Sequence, residues 1–278
     1  MPYQAPIQRT DPTALLFVVD QSTSMGDRMA GSERTKAQIV ADVLNKTLMQ
    51  LVTRCAKADG VRDYFDIGVI GYGDGGARNA LGGSLAQQIL NPISAIESNP
   101  VRIEERRRKI DDGAGGIVEQ TVKFPVWFEP LASGGTPMCA AMTKAAEELA
   151  VWCDNHPNSY PPTVLHITDG ESTDGNPEQL AEGLRQFQTT DGHVLLLNLH
   201  VSSLAATPIS FPASETGLPD QYAKLLFNMS SSLPAHLVKV AQEKGRMVSN
   251  ESRGYVFNAD AAEIVDFFDI GTRPAQLR

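Results

Sequence analysis

The chain has 278 residues, of which 42% are hydrophobic and 21% charged, globular proportions that exclude long disordered tracts as its main character. That length suits one large α/β domain or two small ones. Acidic residues number 33 against 24 basic, a formal net charge of -9, which disfavours a nonspecific grip on nucleic acid or anionic lipid and suits a cation or a basic patch on a partner.

The opening segment MPYQAPIQRTDP lacks the basic and apolar regions of a secretory signal. No later run approaches the roughly 20 apolar residues of a spanning helix. The expectation is a cytoplasmic protein without a membrane span. Cys55, Cys139 and Cys153 are odd in number and widely spaced, with no CxxC or Cys/His pairing. Isolated thiols on helices or in the core are expected, not a disulfide framework or a zinc site.

Along the chain, Ala14 to Val19 (ALLFVV) is a continuous apolar run bounded by Asp20, as expected of a strand buried on both faces. From Glu33 to Ala56 apolar residues recur at spacings of three and four, at Ile39, Val40, Val43, Leu44, Leu48, Leu51 and Val52. That spacing predicts a long amphipathic helix. FDIGVIGYG, from Phe65 to Gly73, reads as the next strand, giving β-α-β with a right-handed crossover and parallel pairing.

The stretch 76–130 exceeds the usual loop lengths and reads as an insertion. Val101 to Ile110, the turn DDGAGG at 111–116, and Ile117 to Phe128 predict a β-hairpin at the sheet edge. The run Glu104, Glu105, Arg106, Arg107, Arg108, Lys109 reads as a solvated edge strand, with a docking patch as the alternative.

Thr163 to Thr168 reads as a buried strand, Glu178 to Phe187 as a helix and Val194 to Val201 as a strand. Residues 202–219, rich in Ser, Thr and Pro, read as a surface loop. Ser232 and Pro234 open a helix that Gly245 closes, then a short strand, Tyr255 to Phe257, precedes a last helix from Ala259 to Phe268. The fold class is α/β, a doubly wound, mostly parallel sheet flanked by helices. The chain 1–278 is expected to be a single domain with its core over 12–270.

Immediately after the first strand stand Asp20, Ser22 and Ser24 in DQSTSM. Alternate residues of extended backbone share a side, so a carboxylate and two hydroxyls can converge where open α/β sheets bind ligands. Thr136 in SGGTPM and Asp169 in TDG supply further oxygen at equivalent places. Oxygen donors of mixed charge suit a hard cation, Mg²⁺, with Mn²⁺ or Ca²⁺ served by the same atoms, and do not suit zinc or copper. The bland alternative is that Asp20, Ser22 and Ser24 cap the helix that follows.

DQSTSM, GGTPM and TDG, in that order, resemble the metal-ion-dependent adhesion site of the von Willebrand factor A family, over nearly the whole chain. The resemblance implies a mostly parallel six-stranded sheet with one antiparallel edge strand. It implies that Ser22, Ser24 and Thr136 touch the metal while Asp20 and Asp169 act mainly through water. It also implies an open metal position that takes Glu or Asp from a partner protein. Similar proteins of the intracellular, bacterial type act as adaptors for ATPase, chelatase, kinase or stress-response assemblies. Thr23 departs from the family pattern, where glycine is common between the two serines.

Two other function classes compete. A Mg²⁺-dependent phosphoryl-transfer or hydrolytic enzyme would need a nucleophile, yet DxDxT, GxSxG and P-loop patterns are missing. Glu171 and Asp174, the acids nearest Asp169, read as surface loop residues, so a non-catalytic protein is expected. A purely structural A domain would bind partners through the hairpin without metal.

Gly71, Gly73 and Gly76 satisfy GxGxxG, but ARNALGGSLAQQ is a poor helix start and no ribose-binding acid follows convincingly. Those glycines read as letting the second strand approach the metal loop. His156, His166, His193, His200 and His236, with Trp127 and Trp152, read as packing residues.

Overall fold

The apolar run at the start becomes β1 (Thr13–Asp20), in which every residue is buried. Alternation explains why: Leu15, Phe17 and Val19 pack into one apolar layer while Ala14, Leu16 and Val18 pack into the other. Each fully buried large side chain of this kind contributes about 1.5–3 kcal/mol. The computed structural model describes residues 2–111, 117–202, 207–274 and 276–277.

α1 (Lys36–Cys55) starts at a capping box, where the Gln38 amide donates to Thr35 Oγ1 at 3.2 Å and the Thr35 amide to Gln38 Oε1 at 3.0 Å. Its expected stripe faces the core, Val40, Leu44, Leu48 and Leu51 being completely enclosed. β2 (Phe65–Gly73) returns parallel to β1, with Leu15 opposite Ile67. β3 (Gly76–Asn79) turns back antiparallel on β2, and the two-residue β4 (Asn91–Pro92) pairs antiparallel with the start of β2.

After α2 (Ile93–Ser98) come β5 (Arg102–Asp111) and β6 (Ile117–Val126), paired from Arg102 with Val126 to Asp111 with Ile117. Further along come α3 (Met138–Asn155), β7 (Thr163–Thr168), α4 (Glu178–Leu184), β8 (Leu195–Val201) and β9 (Ile209–Ser210). They are followed by α5 (Gln221–Met229), α6 (Ala235–Glu243), β10 (Tyr255–Ala259) and α7 (Ala261–Gly271). No helix among the described residues is long and apolar enough to cross a membrane.

The main sheet runs β9-β10-β8-β7-β1-β2-β3, with β4 attached to β2. β10, β8, β7, β1 and β2 are parallel, and β9, β3 and β4 are antiparallel. Setting aside the two-residue β4 and β9, six strands remain, five parallel and one antiparallel edge strand, β3. α1, α2, α6 and α7 cover one face, and α3, α4 and α5 the other. From β1 the chain moves outward on one side through β2, and later on the other side through β7 and β8. The gap above β1 and β7 is therefore the topological switch point.

The hairpin departs from its expected place. β5 and β6 form a sheet of their own, separate from the main one, because β3 already occupies the edge of β2. It is anchored to α1 instead. Asn45 Oδ1 accepts from the amides of Trp127 at 2.8 Å and Phe128 at 3.1 Å, and Asn45 Nδ2 donates to Phe128 O at 2.8 Å. Arg106, read as part of a solvated run, pairs with Asp42 at 2.6 Å and lies 3.5 Å over the Phe124 ring. The turn 112–116 and the side chains of Arg108 and Lys109 lie outside the described residues.

The loop 202–219 contains β9, and its residues 203–206 are outside the description. Gly71 and Gly73 end β2 while Gly76 opens β3, so the glycine pattern makes an antiparallel turn and not a helix-opening dinucleotide loop. Cys55 and Cys153 are buried free thiols, pushed by burial up to about 12 and about 11. Trp127 and Trp152 are buried, their ring nitrogens donating to Ile96 O at 2.6 Å and Asp66 Oδ2 at 2.8 Å.

Candidate metal centre

Asp20 closes β1 at the switch point and is 1% exposed. Its Oδ1 accepts from the Ser22 amide at 2.8 Å and its Oδ2 from Thr168 Oγ1 at 2.8 Å, tying the ends of β1 and β7 together. Burial pushes its pKa up to about 6, outweighing the hydrogen bonds from Ser22 and Thr168, with the Asp169 charge adding to the rise.

Beyond Asp20 the chain makes a 3₁₀ turn, Thr23–Gly26, at whose start the Ser22 side chain makes no capping bond. α1 is capped separately by Thr35, so Asp20, Ser22 and Ser24 are not spent on capping it. Ser22 Oγ and Ser24 Oγ instead lie 3.1 Å apart, and Ser24 Oγ donates to Asp169 Oδ1 at 2.8 Å. Three of the expected oxygen bearers are thus joined across the gap between β1 and β7.

Thr136 arrives on a third loop, held by backbone bonds. The Ser133 amide donates to Gln21 O at 2.7 Å, and the Asp74 amide to Ser133 O at 2.9 Å. Gly73 makes room for this seam: a methyl carbon there would sit 2.7 Å from Gln21 O and 2.8 Å from Ser133 O. Thr23 donates through both its amide and its Oγ1 to Gly134 O, at 3.0 and 3.1 Å. A methyl carbon built on Gly170 would lie 3.7 Å from Thr136 Oγ1 and 3.9 Å from Ser24 Oγ, so both hydroxyls overhang the same point. Asp20, Ser22, Ser24 and Asp169 are thus linked at the carboxyl ends of β1 and β7, and the third loop brings Thr136 beside Gly170.

Sequence reasoning missed several neighbours. Lys36, the first residue of α1, is 4% exposed, and its Nζ lies 2.5 Å from Asp169 Oδ2. Tyr222, on α5, donates to Thr168 Oγ1 at 3.3 Å, and the His200 ring meets Tyr222 edge-on with centroids 5.9 Å apart. Beside Tyr222 opens a cavity of about 750 Å³ walled in part by Glu171, Ser172, Glu178 and Glu215. Asp174 caps α3, accepting from the Cys139 and Ala140 amides at 2.9 Å each. Against a desolvation penalty, those two amides hold its carboxyl below the usual range. Glu171 faces solvent.

The donor set fits a hard cation. It consists of two carboxylates and three hydroxyls, and a cationic group, the Lys36 ammonium, already presses on one of the carboxylates. Among the described residues no three or more His, Cys, Asp and Glu side chains cluster as a metal site, so any ion held here depends on hydroxyl oxygen.

No family model and no curated protein matches the sequence. Among solved structures the chain is similar to the SpRpn10 VWA domain, with 10% identity, 70% of this chain and 77% of that one covered, and a TM-score of 0.40. It is similar to proximal thread matrix protein 1 from the mussel byssus, with 14% identity, 94% and 47% coverage, and a TM-score of 0.48. It is similar to the pilus adhesin SpaC from Lactobacillus rhamnosus GG, with 13% identity, 93% and 30% coverage, and a TM-score of 0.49. The chain thus spans less than half of the byssus protein and of the adhesin. At these values the likenesses carry no chemistry to this site, whose reading stands on its own geometry.

Proposed function

We propose that this chain is a von Willebrand factor A-type interaction module that binds a partner protein through a divalent cation, Mg²⁺ first, with Mn²⁺ or Ca²⁺ accepted by the same atoms. Asp20, Ser22, Ser24, Thr136 and Asp169 would hold the ion. The observation that carries the reading is the hydrogen-bonded line from Ser22 Oγ through Ser24 Oγ to Asp169 Oδ1, drawn from two loops at the switch point beside a desolvated Asp20. When bound, the ion supplies positive charge and a position open to an outside oxygen. A Glu or Asp of the partner suits that position because the hydroxyl donors leave the ion's charge largely unspent. A non-catalytic role is supported by the nearby acids: Asp174 is committed to capping α3 and Glu171 to solvent.

Thermal unfolding in EDTA and in millimolar Mg²⁺ or Mn²⁺ tests the cation. An ion at about a hundred times its Kd stabilises by about 2.7 kcal/mol, raising Tm by about 5 °C in a chain of this size. Asp20→Asn should abolish the rise, and identical melting of the natural chain in metal and in EDTA would defeat the reading. Partner capture from cell extract should likewise persist in Mg²⁺ and be lost on adding EDTA.

A further inference from the structure

Lys36 sits where a lysine gains nothing locally. It opens α1, where the helix dipole already concentrates positive potential, and its side chain keeps only 5% of its exposure. Burying an ammonium is costly unless a partner anion is equally enclosed. That partner is Asp169, whose side chain is fully enclosed 2.5 Å away, whereas Asp27, at 3.9 Å, is 69% exposed. The pair is therefore part of the centre, facing the same gap as Asp20, Thr168, Tyr222 and His200.

Among the described residues, the charges enclosed there are the Asp20 and Asp169 carboxylates and the Lys36 ammonium. Tyr222 and the His200 ring, both kept neutral by burial at physiological pH, add none. One negative charge remains, and a divalent cation turns it into one positive charge that a single outside carboxylate cancels. Were Lys36 neutral, the cation alone would balance the two carboxylates, and an incoming Glu or Asp would meet no excess positive charge.

We propose that Lys36 makes the loaded centre select an anionic side chain, weakening the cation's hold by repulsion and by sharing Asp169 while strengthening the hold on a carboxylate ligand. This rests on the cation reading above. Lys36 acts through Asp169 and the ion, so it is a positioning residue, and its signature is two effects of opposite sign. A strut that merely supported the fold would lower both affinities when removed.

The test uses Mn²⁺ alone and then acetate. Mn²⁺ affinity is read from the paramagnetic resonance signal of the free ion. Acetate binding to the Mn²⁺-loaded chain is read from the loss of water-proton relaxation. Lys36→Gln keeps an N–H donor for Asp169 and removes the charge, so it carries the test even if Lys36→Met does not fold. Lys36→Gln should bind Mn²⁺ about tenfold more tightly and acetate about tenfold more weakly, while Lys36→Arg stays within about threefold of the natural chain in both. Loss of Mn²⁺ affinity in Lys36→Gln, or unchanged acetate affinity, overturns the proposal while leaving the cation reading intact. If neither the natural chain nor any Lys36 variant binds Mn²⁺, the cation reading itself falls and this inference falls with it.

Discussion

Gly134 shows how narrowly one residue sets the centre. Its φ is +80°, and a methyl carbon there would lie 2.5 Å from Asp74 N and 2.6 Å from Asp74 Cα, backbone atoms that cannot swing away. Its carbonyl also receives both bonds from Thr23. Gly134→Ala should therefore destabilise the chain by about 2–4 kcal/mol in urea unfolding and reduce the Mn²⁺-dependent rise in Tm, because the loop that delivers Thr136 must shift. Full stability in that variant would refute the close approach. At this scale the five oxygen-bearing side chains were legible in the sequence, since each stands at a fixed step beyond a readable strand or before a helix. Lys36 was not. A lysine opening a polar turn of helix reads as solvated, and only the tertiary placement of Asp169 encloses it. Thr168 and Tyr222 were hidden for the same reason, Tyr222 reaching the centre from an element 54 residues further along the chain.

Among elements, strands and their partners separated clearly by how far they could be read. β1, β2, β7 and β8 announce themselves as apolar runs because helices cover both of their faces. β9 does not, being a two-residue strand defined by its pairing with Phe257 and Val256, a relation no local pattern encodes. The hairpin was legible as two strands but not in its attachment, which rests on α1 side chains, Asp42 pairing with Arg106 and Asn45 binding the strand's exit. Asn45 satisfies two amides and one carbonyl at Trp127 and Phe128, groups that would otherwise be buried without partners. Asn45→Ala should destabilise by about 3 kcal/mol in urea unfolding. The Mn²⁺-dependent rise in Tm should survive, because distant, independent sites add. A loss of the metal response in Asn45→Ala would mean that the hairpin anchorage and the centre are coupled, and that the insertion belongs to the binding machinery.

Across the whole molecule, one buried polar line joins the sheet to the far helix layer. Tyr72 on β2 donates to His166 Nε2 on β7 at 2.7 Å, and His166 Nδ1 donates to Asn198 Oδ1 on β8 at 2.7 Å. Asn198 Nδ2 then donates to Ser230 Oγ, just past α5, at 2.9 Å. This line requires a neutral imidazole, and desolvation, only partly countered by the Asn198 bond, pulls His166 down to about 4. Desolvation also takes His200 to about 4, against the upward pull of Asp169 and Asp220. Unfolded, each histidine titrates near 6.5. Between the two values the unfolded chain binds more protons than the folded one, so stability falls as pH drops from about 6.5 toward 4 and is indifferent to these rings above that window. Asp20 works in the opposite sense, since its pKa is raised to about 6, but one such carboxylate offsets only part of two histidines. Urea unfolding in EDTA should accordingly lose several kcal/mol between pH 7.5 and pH 4.5, of which His166 accounts for about 3 kcal/mol at its limit. His166→Gln should be less stable than the natural chain at pH 7.5, where its hydrogen bonds are imperfectly replaced. Its stability should nevertheless depend on pH less steeply, by up to one proton near pH 5.5. Parallel curves for the two proteins would show that His166 does not stay neutral inside the fold, and that the line from Tyr72 to Ser230 is not what acid breaks.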